Sequence, residues 1–169
     1  MAGGDGTNPI LYIEDLYRMP LRRRRIPAAG AVQVYLSRNG RLHCPAGGLT
    51  LGELWWLAPR RVYEVDGGVH PLELSYDLSG ASMHMAVDLT ATWRVTDPVA
   101  VVRNRVFDVA GIARPRLLQQ LEDAVAGPDW HSVPELRDEL EHAIFPDVDL
   151  PEGIQISEIQ ATVPSFEDG

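Results

Sequence analysis

From Met83 to Val95 the chain keeps one apolar–polar alternation for thirteen positions. Met83, Met85, Val87, Leu89, Ala91, Trp93 and Val95 share one side. His84, Asp88, Thr90, Thr92 and Arg94 occupy the other, with Ala86 the single apolar exception. Successive strand side chains point to opposite faces, so this pattern predicts a half-buried antiparallel strand. Shorter signals precede it. Ala31 to Leu36 reads as a strand and Arg38-Asn39-Gly40-Arg41 as a hairpin turn, because Asn-Gly tolerates the positive φ of tight turns. Gly47-Gly48 marks another turn. Val62–Asp66 and Val69–Asp77 flank Gly67-Gly68 as strand, turn and strand.

The period then changes. Thr96-Asp97-Pro98 starts a helix, with Thr96 or Asp97 capping and proline in the first turn, and Val99, Val102, Val106 and Phe107 as its apolar stripe. A second helix is expected over 112–126, with Ile112, Leu117, Leu118, Leu121 and Val125 on one side, Pro115 in its first turn or kinking it, and Gly127-Pro128 ending it. Ser132 and Glu135 have capping-box spacing for a third, whose stripe is Val133, Leu136, Leu140, Ala143 and Ile144. Gly153 to Val163 reads as a closing strand whose alternation slips near Ser157-Glu158, which predicts a bulge.

Upstream, residues 10–17 are apolar without a clear period, and Arg18 to Gly30 contains Pro20, Pro27 and Gly30, which favours an extended linker. The expected organisation is a flexible arm over 1–30, one domain over 31–163 and a short tail over 164–169. Strands, then helices, then a returning strand predict an α+β fold, a mostly antiparallel twisted sheet packed with two to three helices.

Composition narrows the classes. A chain of 169 residues, 45% apolar and 23% charged, suits one folded domain. Cys44 is the only cysteine, so an intrachain disulfide is excluded, which fits a reducing compartment. No run approaches the ~20 apolar residues needed to cross a bilayer. The start has neither a signal-peptide pattern nor a Met-Gly acylation start. The expectation is a soluble cytoplasmic protein, with peripheral membrane contact left open.

Charge is unevenly placed. Residues 1–61 hold nine arginines against Asp5, Glu14, Asp15 and Glu53, or +5, leaving −14 for the remainder of a chain whose total is −9. Two features concentrate it: a basic arm at Arg22, Arg23, Arg24 and Arg25, and an acidic set, Glu122, Asp123, Glu135, Asp138, Glu139 and Glu141, on the expected helices. Net charge −9 with no basic stripe in the domain argues against nucleic acid.

The sequence offers little for catalysis. It contains no lysine, hence no Walker loop. Cys44 needs a positioned base, and His43, its neighbour, points to the opposite face of an extended segment. Glu139 and His142 share a helix face, but no second copy of that pair exists to complete a di-metal site. The expectation is no enzyme, with no catalytic residue, metal, cofactor or small-molecule substrate. Trp55 and Trp56, read on an extended segment, face opposite sides, which sends one to the core and the other to an interface or a membrane surface.

The segment from Val87 through Thr92-Trp93-Arg94-Val95-Thr96-Asp97-Pro98 to Val102 resembles the core of the SPFH (band-7, prohibitin-homology) family, in which a strand ending in aromatic-Arg-Val runs into Thr/Asp-Pro and a helix. Leu36 to Gly48, Arg60 to Asp66 and Glu152 to Ile159 resemble that family's first hairpin, its next strand and its closing strand, in order. The resemblance covers about 31–163 and implies an assembly or scaffolding module that forms homo-oligomers or docks on a partner protein. The membrane hairpin or acyl anchor and the long coiled-coil helix of familiar members are not found in this sequence. The alternative is a peripheral adaptor that binds anionic lipid through Arg22–Arg25 and an exposed tryptophan.

Overall fold

The computed structural model describes residues 7–16, 26–80, 83–125 and 130–164. The fold is α+β, and the described residues form two antiparallel four-stranded sheets and four helices. The chain divides into two units, each with its own sheet.

The first unit comprises Met1–Val69, Arg94–Val109 and Leu150–Ile154. Its strands are β1 (Ile10–Asp15), β2 (Ala31–Leu36), β3 (Leu42–His43) and β4 (Arg61–Asp66), in the order β1-β4-β2-β3. The expected hairpin forms: Tyr35 pairs with His43, Leu36 pairs with Leu42, and Gly40 turns the chain at φ 81°. Here Ile10–Asp15, which the sequence reading left in a flexible arm, is an edge strand. It runs antiparallel to β4 from Ile10↔Val65 to Asp15↔Arg61, with an irregularity between Ile10 and Tyr12. Its apolar residues had no clear period of their own; pairing with β4 supplies the register.

Two helices belong to this unit, α1 (Leu51–Leu57) and α2 (Pro98–Asn104). Asp97 caps α2 by accepting the Ala100 N–H at 3.0 Å, as its position before Pro98 predicts. The helix packs against β2, β3 and β4 and buries Ala100, Val101 and Val102, while Phe107, expected in its stripe, is 49% exposed. Gly153 lies against this cap. Its carbonyl accepts the N–H groups of Thr96 and Asp97, and a Cβ there would stand 2.3 Å from the Asp97 carbonyl oxygen.

The second unit comprises His70–Trp93, Ala110–Asp149 and Gln155–Gly169. Its sheet is β5 (Val69–Ser79), β6 (His84–Val95), β8 (Ile154–Thr162) and β7 (Val148–Leu150), in that order. The alternation in β6 is realised: Met85, Val87, Leu89, Ala91 and Trp93 are buried, and none of the residues between them is. Side-chain contacts of Ser75 with Asp88, Ser79 with His84 and His70 with Trp93 hold β5 and β6 in one register. The Val62–Asp66 and Val69–Asp77 segments do become strands, but they belong to different sheets and do not pair.

The slip in β8 is a bulge. The Thr92 hydroxyl lies within hydrogen-bond distance of both Ser157 and Glu158, Glu158 takes a left-handed backbone at φ 54°, and the buried positions step by three from Ile156 to Ile159 instead of by two. Ile154 and Ile156 before it and Ile159 and Val163 after it thereby all remain buried.

The helices of this unit are α3 (Val109–Ala124) and α4 (Val133–His142). The α3 helix starts three residues earlier than the sequence implied. Its buried line is Val109, Ala113, Leu117 and Leu121, with Ile112 and Leu118 only half-buried and Pro115 in the second turn. The Tyr76 hydroxyl donates to the Arg114 carbonyl at 3.0 Å, tying α3 to β5. Ser132 caps α4 as expected, but Glu135 reaches back to the His131 N–H at 2.7 Å. Leu136 and Leu140 are buried, whereas Ile144, expected in that stripe, follows the helix end and is 91% exposed. The Gly127-Pro128 stop lies outside the described residues.

Candidate docking surface

The short α1 helix is built almost entirely from local signals. Thr50 is its N-cap: its hydroxyl accepts the Glu53 N–H at 3.3 Å, and the Glu53 carboxylate accepts the Thr50 N–H at 2.8 Å and its hydroxyl at 2.7 Å. This reciprocal arrangement satisfies N–H groups that the first helical turn leaves without partners. Those hydrogen bonds also hold the Glu53 carboxyl below its usual pKa. At the other end Ala58 adopts a left-handed conformation, φ 40°, and donates to the Leu54 carbonyl at 2.9 Å. Pro59 follows and cannot continue the helix.

Only Leu54 of this helix is buried, in a cluster with Tyr35 and Val62 that Leu16 and Leu49 extend. The remaining apolar side chains face solvent: Leu51 is 73% exposed, Trp55 76%, Trp56 82% and Leu57 46%. The assignment of one tryptophan to the core is therefore corrected. On a helix, successive residues are about 100° apart rather than opposed. One buried position, Leu54, leaves both tryptophans on the outward arc. Thr50-Leu51-Gly52-Glu53 before an apolar run carries the capping-box spacing that identifies the helix, a signal the extended reading missed.

Large apolar side chains rarely stand together on a protein surface without a partner. No charge interrupts Leu51, Gly52, Trp55 and Trp56, and the only charged residue of the helix, Glu53, is engaged in the cap. The arrangement is suited to apolar docking.

The acidic set lies in the second unit, on α3 and α4. Glu122, Asp123, Glu135, Asp138 and Glu141 are exposed and Glu139 is half-buried. Several already have partners: Asp123 accepts from the Gln119 side chain at 2.9 Å, Glu135 caps α4, and Asp138 lies 3.6 Å from the His142 ring. The His142 imidazole is held above its ordinary pKa, first by its hydrogen bond to the Asp138 carbonyl and then by the Asp138 charge. The basic arm, Arg22 to Arg25, lies outside the described residues. The charge division follows the units: twelve arginines against nine carboxylates in the first, or +3, and three against fifteen in the second, or −12, which together make −9.

The residues weighed for chemistry do not converge. Cys44 is exposed, and its thiol is pushed above its ordinary pKa by partial burial and then by the Asp97 charge, the opposite of what activates a nucleophile. Among the described residues no group of three or more His, Cys, Asp or Glu side chains is placed to hold a metal. A shallow open depression of about 590 Å³ beside the β8 bulge is lined by Thr90, Thr92, Phe145, Asp147, Glu158 and Gln160 among others. Its Thr92 hydroxyl is spent on the bulge itself. No helix among the described residues is long and apolar enough to cross a membrane. No model of a known protein family matches the chain, and no curated protein matches it.

Proposed function

We propose that this chain is a non-catalytic assembly module of the SPFH type that works in the cytoplasm by self-association or by docking on a larger particle. The observation that carries the reading is α1, a capped helix that commits one residue to its own core and turns two tryptophans and two leucines outward. Burial of such aromatic anchors dominates the energetics of protein interfaces. The charge division supports it as well, because a positive first unit and a strongly negative second unit favour a head-to-tail contact between copies, Arg22–Arg25 of one meeting the α3–α4 carboxylates of the next. The segment on which the SPFH resemblance rests forms as elements, β6 running into the Asp97-capped α2.

Light scattering coupled to size exclusion tests this. The expected result is an assembly larger than one chain. Its head-to-tail component weakens at high salt and when Arg22–Arg25 are neutralised. A single-chain mass at every concentration and salt overturns self-association and leaves only docking on a different partner. Peripheral binding to anionic lipid is the second reading, favoured by the exposure of both tryptophans. Against it, α1 carries no basic residue. Co-sedimentation with anionic and neutral vesicles separates the two.

A further inference from the structure

Gly52 stands inside α1, where glycine is less favourable than alanine, and nothing in the fold explains it. A Cβ at this position would meet no atom within 4 Å outside its chain neighbours and its own helix backbone, and its φ is not one of the positive ones. Alanine there is expected to leave the helix as stable or make it more so. The position is exposed, and in projection it falls between the two tryptophans, one residue after Leu51 and one turn before Trp56. Neither indole folds onto it. The helix thus presents a bare notch of backbone flanked by two large aromatic side chains.

We propose that this surface pairs with the same surface of a second copy across a two-fold axis, the tryptophan pair of each helix seating on the Gly52 notch of the other. The inference rests on the self-association reading and names its apolar contact. A knob and a notch on one helix are self-complementary, as a two-fold contact requires. The arc carries no charge, so pairing like with like sets no repulsion across it. Area is consistent. At ~250 Å² for a full indole, the two tryptophans leave about 400 Å² exposed, and Leu51, beside Trp55 in projection, raises this to roughly 500 Å² per copy. A pair that covered all of it would bury on the order of 1,000 Å², the size of a weak, reversible contact. A lipid surface fits less well, because α1 offers an anionic bilayer no cation and one carboxylate.

Sedimentation equilibrium over a wide concentration range, with wild type, Gly52→Ala and the double variant Trp55→Ser/Trp56→Ser, tests the proposal at high salt, where the charge contact is screened. The expected result is a wild-type dimer. Gly52→Ala weakens it by about tenfold or more while unfolding at the same or a higher temperature, and the double variant abolishes it. A stabilised helix that associates less is an outcome that lost helix structure cannot produce. If wild type self-associates and Gly52→Ala and the double variant do so equally well, the α1 contact is wrong and the assembly reading stands. If wild type stays a single chain at all concentrations and at both low and high salt, both fall. If the tryptophans instead bind vesicles of phosphatidylglycerol and the protein does not pair, the α1 partner is lipid and the proposal is overturned.

Discussion

Glu64 gives the sharpest test of the packing in the first unit. It sits in the middle of β4, 2% exposed, and is the one charged residue buried among the described residues. Its cross-strand neighbours are Tyr12 on β1 and Gln33 on β2, and its Oε2 is out of water with no hydrogen-bond donor. A buried polar atom left unsatisfied costs about 1–3 kcal/mol. Replacing the side chain with an apolar one of similar size removes that cost. Leucine at position 64 also continues the apolar face that Val62 begins two positions earlier on the same strand. The Glu64→Leu variant is therefore expected to be more stable by about 1–2 kcal/mol, less than the full desolvation cost because leucine must fit beside Tyr12 and Gln33. In a chain of this size that corresponds to a rise of roughly 2–8 °C in Tm. Urea unfolding followed by far-UV circular dichroism measures it, and Glu64→Gln, which keeps a polar group in place, is expected to gain less. A Leu variant less stable than wild type by about 1 kcal/mol or more refutes the argument, since it means the carboxyl group holds the sheet together.

Three further outcomes follow from the same reasoning. Leu117→Ala, at a fully buried position of α3, is expected to cost about 2–5 kcal/mol by denaturant unfolding, because the cavity adds to the lost apolar transfer. Gly153→Ala combines a positive φ of 86° with a Cβ 2.3 Å from the Asp97 carbonyl oxygen, so a loss of about 2 kcal/mol or more is expected, together with fraying at the start of α2 in hydrogen exchange. For His142 the folded pKa lies above the unfolded one, so its interaction with Asp138 is whole below the ordinary histidine value and disappears as pH rises through the folded value. In an NMR titration, Asp138→Asn is expected to lower the His142 midpoint only part of the way, because the backbone carbonyl at 138 still accepts its hydrogen bond.

Features that neighbouring residues settle among themselves are legible along the chain. The Asp97 and Ser132 caps and the Asn39-Gly40 turn work over four residues or fewer, the alternation from Met83 to Val95 repeats a two-residue period, and each forms where it was read. The β8 bulge belongs with them, because a slip in a period-two pattern is visible in the pattern. The Thr50–Glu53 box was equally local, and reading it as a helix start would have placed both tryptophans on α1. Other features depended on partners distant in the chain. Ile10–Asp15 becomes a strand because β4 is there to pair with it, and β4 and β5, adjacent in sequence, enter different sheets. Which apolar residues stay outside was also a tertiary decision: Leu54 has Tyr35 and Val62 to bury against, and Trp55, Trp56 and Ile144 end up exposed. Period and capping are properties of a segment, whereas burial is a property of a pair, and the second half of each pair is supplied only when the chain folds back on itself.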